Sequence, residues 1–276
     1  MKVDFFIVGA PKAGTTSLYH YLNQHADIEM SSEKEPDFFS NSSLRQQGLY
    51  YGKNPIDTIE KYHSLFKKED VILRGEASVS YLFYEEVPKN IFAYNPDAKI
   101  IIMLRSPIDR AFSHYLMDYK LGLNSESFEA IIQKKSEHKN ANLFYQQYIK
   151  LSEYTNQIKR YLEVFKKQNI LVIDYDEFKK QNSDTVNSVF VFLGLNSKQK
   201  FSYKKKYNTY NRPRNSFIRY VYSLVSLRKI LVRIFPDFLI IMFREFLFTS
   251  DKKPKLDKLT RDALKKHFAS DVRGLS

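Results

Sequence analysis

A glycine-containing turn between a predicted strand and a predicted helix is the first segment whose residue types suggest chemistry. The apolar run Asp4–Val8 predicts a strand, helical periodicity resumes over Thr15–Asn23, and Gly9–Ser17 joins the two. A strand, a glycine turn and a helix in this order aim backbone N–H groups and the positive helix end at an anion. The segment therefore predicts a phosphate-binding loop. Its side-chain donors are Lys12, Thr15, Thr16 and Ser17.

The loop resembles the Walker A motif in spacing but differs from it in chemistry. Walker A places a lysine directly after its second glycine, whereas Thr15 follows Gly14 here and Lys12 lies inside the loop. The sequence also suggests no aspartate at the end of a neighbouring strand to hold Mg²⁺. An ordinary ATPase is therefore disfavoured, and a nucleoside or metabolite kinase is kept as an alternative.

A second anion-binding segment follows the apolar strand Lys99–Leu104. Arg105 comes directly after this strand and projects from the carboxyl edge of the sheet, where ligands bind in open α/β folds. Pro107 suits the first position of a helix, and Ser113 lies about two turns along that helix. Two phosphate pockets on neighbouring strand–helix units predict a ligand with phosphate at both ends.

The elements that must position these segments alternate between short β-rich runs and longer helical patterns, which is typical of a parallel sheet covered by helices. We therefore expect a single P-loop-type three-layer α/β/α domain over residues 1–276, with a central parallel sheet of about five strands. Irregular segments are predicted at Ser31–Asp57 and at the basic loop Asn196–Arg214. The clearest strands are Asp4–Val8, Val71–Arg74, Lys99–Leu104 and Ile170–Ile173. The predicted helices are Thr15–Asn23, Pro107–Lys120, Ser127–Lys135, Glu153–Lys167 and Thr185–Leu193, with two or three more within Phe217–Phe268.

Composition narrows the classes of function further. The absence of cysteine excludes disulfides, thiolate metal sites and cysteine nucleophiles. Only a few residues precede the first apolar run, and charges interrupt the apolar region Phe217–Phe248, so neither a signal peptide nor a membrane span is expected. Cytoplasmic localisation is the expectation.

The net charge of +13 is concentrated at one end of the sequence. Residues 200–276 hold 19 Lys and Arg against 6 Asp and Glu, whereas residues 1–199 hold 25 of each kind. This basic quarter is either a solvated surface or a field that attracts an anionic cofactor, an anionic acceptor or acidic lipid. No nucleic-acid motif accompanies it, so nucleic acid is not an expected partner.

Several segments together resemble a known enzyme family. Phe5–Leu18 resembles the 5′-phosphosulfate loop of sulfotransferases that use 3′-phosphoadenosine-5′-phosphosulfate (PAPS), and Ile101–Tyr115 resembles their 3′-phosphate site. Lys34–Phe39 and Gly75–Leu82 are similar to segments of the bacterial and heparan-sulfate-type branch. Later segments fit the same family, so the similarity covers nearly all of the sequence. These are Ile170–Phe178, Phe192–Leu195, Leu259–Arg261 and Phe268–Val272.

The resemblance implies an enzyme that transfers the sulfuryl group of PAPS to a hydroxyl or amine without a metal ion. In the family pattern, Lys12 contacts the phosphosulfate bridge and stabilises charge on the leaving oxygen. Arg105 and Ser113 bind the 3′ phosphate, and Arg214 lies where the family closes a basic loop over the nucleotide. The 5′ phosphate is held by Ala13, Gly14, Thr15, Thr16 and Ser17.

Glu35 is the candidate general base that takes the proton of the acceptor. His20, His25 and His114 are alternative bases, although such histidines are more often packed in the interior. Two positions depart from relatives that act on glycans. Ala77 stands where Golgi members often carry lysine, and Asp37 stands where some relatives carry histidine, so both bear on the choice of acceptor.

The expected acceptor is a saccharide or glycolipid, and peripheral contact with an anionic membrane is left open. Besides the kinase, a second alternative is a non-catalytic module that binds polyanions or membranes through its basic quarter, on the scaffold of an inactive transferase. Lys12→Ala separates the transferase from the binding module, because only the transferase needs Lys12 for turnover.

Overall fold

The computed structural model describes residues 1–49, 51, 55–196, 212–215, 218, 247–249 and 253–274. Most of the predicted loop Asn196–Arg214 lies outside these residues, and so does the greater part of Phe217–Phe268, where further helices are predicted. Among the described residues, no helix is both long and apolar enough to cross a lipid bilayer.

The chain divides into two compact units. The first comprises Met1–Arg110, Leu151–Tyr207 and Phe268–Ser276, and the second comprises Ala111–Lys150 and Asn208–His267. The first unit contains the parallel sheet and the large apolar core.

The sheet of the first unit has five parallel strands in the order β2-β3-β1-β4-β5. The strands are β1 (Phe5–Gly9), β2 (Ile28–Met30), β3 (Leu73–Ala77), β4 (Lys99–Leu104) and β5 (Ile170–Asp174). Every residue of β1 is buried, which explains its uninterrupted apolar sequence as a central strand covered on both faces. The predicted fold class, a parallel sheet of about five strands flanked by helices, is confirmed.

Helices connect these strands along the chain and continue after β5. Over the described ranges they are α1 (Thr15–Leu22), α2 (Asn41–Gln47), α3 (Ile59–His63), α4 (Val87–Tyr94), α5 (Pro107–Lys120), α6 (Phe128–Ile132), α7 (Ala141–Tyr148), α8 (Tyr154–Val164), α9 (Tyr175–Lys180), α10 (Asn182–Leu193) and α11 (Lys258–Arg273). Single 3₁₀ turns occupy Phe38–Ser40, Lys150–Ser152 and Lys167–Asn169.

The prediction of an irregular segment over Ser31–Asp57 is wrong in part. The described residues of this segment include the 3₁₀ turn Phe38–Ser40 and the helix α2. The reason is packing. Phe39 is buried and contacts the rings of Phe6 and Tyr62, so tertiary contacts order a stretch that has little periodicity of its own.

The second unit packs an aromatic cluster of its own. The ring of Phe112 packs against Phe128, and the rings of Phe128 and Phe144 both pack against Tyr148. The hydroxyl of Tyr148 donates to the buried Asp118 carboxylate at 2.9 Å. A short antiparallel pair, β6 (Arg212–Pro213) and β7 (Phe248–Thr249), also belongs to this unit.

Candidate active site

The predicted phosphate loop forms as a turn between β1 and α1. Gly14 is the N-cap residue of α1, with φ 89°, and as a glycine it has no side chain to cap the helix. The first N–H groups of a helix have no partner within it, so an uncapped N-terminus presents donors to an anion. Lys12 also has a left-handed backbone, with φ 68°, and its side chain is half-buried.

Both glycines of the loop are needed for close packing. A Cβ on Gly9 would lie 2.7 Å from the Cβ of Leu82, closer than real Cβ contacts come. A Cβ on Gly14 would lie 3.0 Å from the ring of Tyr175, in a backbone conformation that L residues rarely adopt. Tyr175 follows β5 directly, so this contact fixes the loop against the neighbouring strand–helix unit.

Arg105 connects the two predicted anion-binding segments. Its Nη1 donates to the carbonyl oxygen of Lys12 at 3.0 Å. The guanidinium carbon lies 4.8 Å from the ring centroid of Tyr175, a cation–π distance. The hydroxyl of Tyr154 donates to the Arg105 carbonyl at 3.0 Å, and burial raises the pKa of Tyr154 to about 12, so this hydroxyl keeps its proton. The structure thus places Lys12 and Arg105 in one cluster at the carboxyl edge of the sheet.

Glu35 lies beyond the end of β3, the strand beside β1. Its backbone N–H donates to the carbonyl of Ala77 at 2.9 Å, and its carboxylate pairs with Lys34. Its side chain is 29% exposed, which leaves the carboxylate accessible to an acceptor. The segment after β3 is also bonded to β1, because Ser78 N–H donates to the Ile7 carbonyl at 3.1 Å. Glu35 follows β2 in the chain, and its hydrogen bond to Ala77 holds it at the carboxyl end of β3, beside the strand that leads into the predicted phosphate loop.

The remaining predicted site residues fall into two groups. Ala13, Thr15, Thr16 and Ser17 lie on the loop or in the first turn of α1. Ser113 and Arg214 belong to the second unit. Ser113 is half-buried on α5, and Arg214 is exposed, with its N–H donating to the Leu247 carbonyl at 3.1 Å. Their roles toward the same nucleotide stay predictions.

The alternative histidine bases differ in their surroundings. His25 is 2% exposed, and its Nδ1 accepts the Asp27 N–H at 3.2 Å while its ring packs 4.9 Å from that of Phe190. His114 is 3% exposed and packs against the ring of Tyr148. His20 is half-buried beside Tyr19. Burial in packed interiors gives His25 and His114 structural roles.

Three residues of this site are not apparent from the sequence. Tyr175 and Tyr154 contact Arg105 from distant parts of the chain, and Glu76 is fully buried just before Ala77. Tyr175 has a weak positional signal, because it lies two residues after the predicted strand Ile170–Ile173, and ligand-binding groups gather at strand ends in this class of fold. Within the described ranges, no group of three or more His, Asp or Glu side chains is arranged to hold a metal ion.

Comparison with known proteins identifies the class to which this fold and site belong. A family model described as a sulfotransferase domain matches residues 2–220, and the chain belongs to that family. A crystal structure of a sulfotransferase from Alicyclobacillus acidocaldarius is 33% identical, with a TM-score of 0.65, over 75% of this chain and 87% of that one.

Two curated relatives are similar over about the same share of the chain. A bifunctional heparan sulfate N-deacetylase/N-sulfotransferase 1 from Caenorhabditis briggsae is 27% identical over 200 residues, covering 70% of this chain and 22% of the relative. Human carbohydrate sulfotransferase 15 is 26% identical over 245 residues, covering 69% of this chain and 43% of the relative. The chain thus spans less than half the length of either.

Proposed function

We propose that this protein transfers the sulfuryl group of PAPS to a hydroxyl or amine of a saccharide or glycolipid acceptor. The observation that carries the proposal is the 3.0 Å hydrogen bond from Arg105 to the Lys12 carbonyl. It joins the two predicted anion-binding segments at one edge of the sheet, which is the arrangement expected for a nucleotide with phosphate at both ends. The family assignment favours this function over the kinase alternative.

The residues present fit the nucleotide that the family implies. An uncapped helix N-terminus, three hydroxyl side chains and one lysine form a donor set for the 5′ end. The guanidinium of Arg105, held against Tyr175, offers planar paired donors for a second phosphate. Arg105 with Ser113 would hold the 3′ phosphate, and Arg214 would close over the nucleotide.

PAPS supplies an activated sulfuryl group whose bond to the bridging oxygen breaks as the acceptor oxygen or nitrogen bonds to sulfur. Lys12 would stabilise the negative charge that collects on that bridging oxygen, together with the N–H groups of residues 13–16. Loss of one such donor typically costs about 10²–10³ in rate. Lys12 has a left-handed backbone and lies within the loop, three residues before the first residue of α1.

Glu35 would accept the proton that the acceptor hydroxyl or amine loses. Its side chain is 29% exposed, and its backbone N–H is bonded to the end of β3, the strand beside β1. Lys34 pairs with the Glu35 carboxylate. General bases contribute about 10²–10⁴ in rate. The proton passes to Glu35 while the departing nucleotide keeps the electron pair of the broken bond.

Two observations support the proposed class of acceptor, namely the names of the relatives and the positive charge of this sequence. The names of two relatives specify heparan sulfate and carbohydrate as what they act on. The basic quarter of this sequence suits an anionic saccharide or the headgroup of an acidic glycolipid. We further propose a single domain that acts in the cytoplasm without a metal ion, with the surface of an anionic membrane as a site of peripheral contact.

Transfer of radiolabelled sulfate from PAPS tests the proposal. A panel of desulfated heparan sulfate, chondroitin, glycolipids and simple alcohols should contain an acceptor that the wild type labels without added metal. Lys12→Ala and Glu35→Gln should each lower kcat about 100-fold or more. Lys89→Ala, which removes an exposed lysine on α4, serves as the control and should leave kcat unchanged.

Two results of this assay would contradict the proposal. One is full activity in Lys12→Ala. The other is no labelling of any acceptor although the nucleotide binds, and this result would favour the binding-module alternative. In that case heparin would bind equally well to the wild type and to Lys12→Ala.

A further inference from the structure

A fully buried carboxylate lies next to the segment that carries Glu35. Glu76 belongs to β3, is 0% exposed, and directly precedes Ala77, whose carbonyl accepts the Glu35 N–H. A buried carboxylate is costly unless hydrogen bonds satisfy it. The hydrogen-bond partners of Glu76 therefore indicate the role of its side chain.

Three hydroxyl groups donate to the Glu76 carboxylate. Ser78 Oγ lies 2.5 Å from Oε1, and the hydroxyl oxygens of Tyr62 and Tyr81 lie 2.6 and 3.2 Å from Oε2. Burial raises the pKa of both tyrosines, so these hydroxyls keep their protons. Each hydroxyl has one proton to give, and the carboxylate fixes where that proton points.

Two of these hydroxyls also accept backbone N–H groups from the residues that follow Glu35. Asp37 N–H donates to Ser78 Oγ at 3.0 Å, and Phe39 N–H donates to the Tyr81 hydroxyl at 3.2 Å. The hydrogen bonds therefore run in one direction, from backbone N–H through hydroxyl to carboxylate. Chains of this kind strengthen one another in a buried environment.

The segment held in this way has an unusual backbone. Glu35 and Asp37 both adopt left-handed conformations, with φ 59° and 54°, which non-glycine residues rarely occupy. Such conformations persist where the surroundings impose them. The Asp37 carboxylate is fixed as well, because it accepts the Ser80 hydroxyl at 2.6 Å.

We propose that Glu76 is a positioning residue that holds residues 35–39 through Ser78 and Tyr81 and so aims the Glu35 carboxylate. The inference rests on the proposed function, in which Glu35 receives the proton of the acceptor. Glu76 itself has no access to an acceptor, because it is fully buried. Its effect reaches the reaction through two backbone amides.

Two variants remove the bridging hydroxyls and keep the shape of the core. Ser78→Ala and Tyr81→Phe should each raise the hydrogen-exchange rates of the Asp37 and Phe39 amides, measured by mass spectrometry on a peptide covering residues 35–40. Tyr94→Phe is the matched control. It removes a hydroxyl from the same aromatic cluster, but that hydroxyl bonds to Val3 N–H and His63. Exchange in this peptide should not change in Tyr94→Phe.

Kinetics then separate positioning from general stability. With desulfated heparan sulfate as the acceptor probe, Ser78→Ala and Tyr81→Phe should lower kcat about 10-fold or more, since small misplacements of a reacting group have effects of this size. The KM for PAPS should stay within about twofold, because the phosphate loop is untouched. In a Glu35→Gln background, Tyr81→Phe should cause no further loss of kcat.

The outcomes distinguish this inference from the proposed function. Unchanged amide exchange in both Ser78→Ala and Tyr81→Phe would overturn the positioning role, whatever the activity. The positioning role would also be overturned if Tyr81→Phe lowered kcat in the Glu35→Gln background by the same factor as in the wild type. Full activity in Glu35→Gln would instead refute the role of Glu35 as base, while faster exchange in the two variants would still show that the hydroxyls bound to Glu76 hold the segment.

Discussion

The buried carboxyl group of Glu76 should make the unfolding free energy depend on pH. Burial raises its pKa from 4.5 to about 7, even though three hydroxyl donors favour the charged form. The folded protein therefore keeps a proton between these two pH values that the unfolded chain releases. The resulting stabilisation is complete below pH 4.5 and is lost as pH rises through about 7.

We expect the pH dependence of stability to change in Glu76→Gln. One pKa unit corresponds to about 1.4 kcal/mol, so wild type should lose about 3 kcal/mol of unfolding free energy relative to Glu76→Gln between pH 4.5 and pH 7.5. Urea unfolding at several pH values measures this difference. Parallel pH profiles for the two proteins would show that Glu76 titrates normally.

Some residues of the candidate site can be predicted from the sequence, and others cannot, because their positions depend on tertiary contacts. Lys12 and Arg105 could be predicted because each lies beside a strand whose apolar pattern places it at the carboxyl edge of the sheet. The roles of Glu76 and Tyr175 could not be predicted, because they depend on contacts with residues distant in sequence. Tyr62, for example, reaches Glu76 from a separate helix.

Some strands and helices can likewise be predicted from the sequence, whereas others form only through tertiary contacts. Lys99–Leu104 and Pro107–Lys120 were predictable to the residue, because a continuous apolar run and a proline at the first helical position define their ends. The strand β2 has only three residues, too few for a pattern, and it forms because it pairs with β3. Short helices such as α2 likewise depend on tertiary packing.

The N-terminus of α8 is capped by a residue of α11, a helix distant in sequence. Glu153, at the N-cap of α8, makes no side-chain cap. The Asp271 carboxylate of α11 takes that place, accepting Tyr154 N–H at 2.7 Å and Thr155 N–H at 2.9 Å. A charged acceptor at a helix N-terminus satisfies two donors and complements the helix dipole. Asp271 thus anchors the helix whose first residue, Tyr154, holds Arg105.

Asp271→Ala should lower the unfolding free energy by about 1–2 kcal/mol, since both N–H groups of α8 lose their partner. Chemical denaturation measures the change. Asp262→Ala is the control on the same helix, because its carboxylate forms an exposed pair with Lys265 at 3.5 Å. Equal effects of the two substitutions would show that Asp271 does not act as a cap.

Taken together, the fold gathers four separate stretches of chain around one edge of a parallel sheet. The phosphate loop follows β1, Arg105 follows β4, Tyr175 follows β5, and Glu35 is bonded to the end of β3. The strand order brings these ends together, although they are up to about 160 residues apart in sequence. The basic quarter lies mostly outside the described residues, and its role in binding an acceptor or a membrane stays a prediction.

The nucleotide preference tests whether one ligand bridges the two predicted phosphate pockets. Calorimetric titration in magnesium-free buffer would compare adenosine 3′,5′-bisphosphate with adenosine 5′-monophosphate, in wild type, in Arg105→Ala and in the exposed control Arg273→Ala. We predict that wild type and Arg273→Ala prefer the bisphosphate by about 10-fold to 100-fold, the worth of charged hydrogen bonds to one phosphate. Arg105→Ala should lose that preference. Arg105→Ala retaining the full preference, or wild type showing none, would contradict the account.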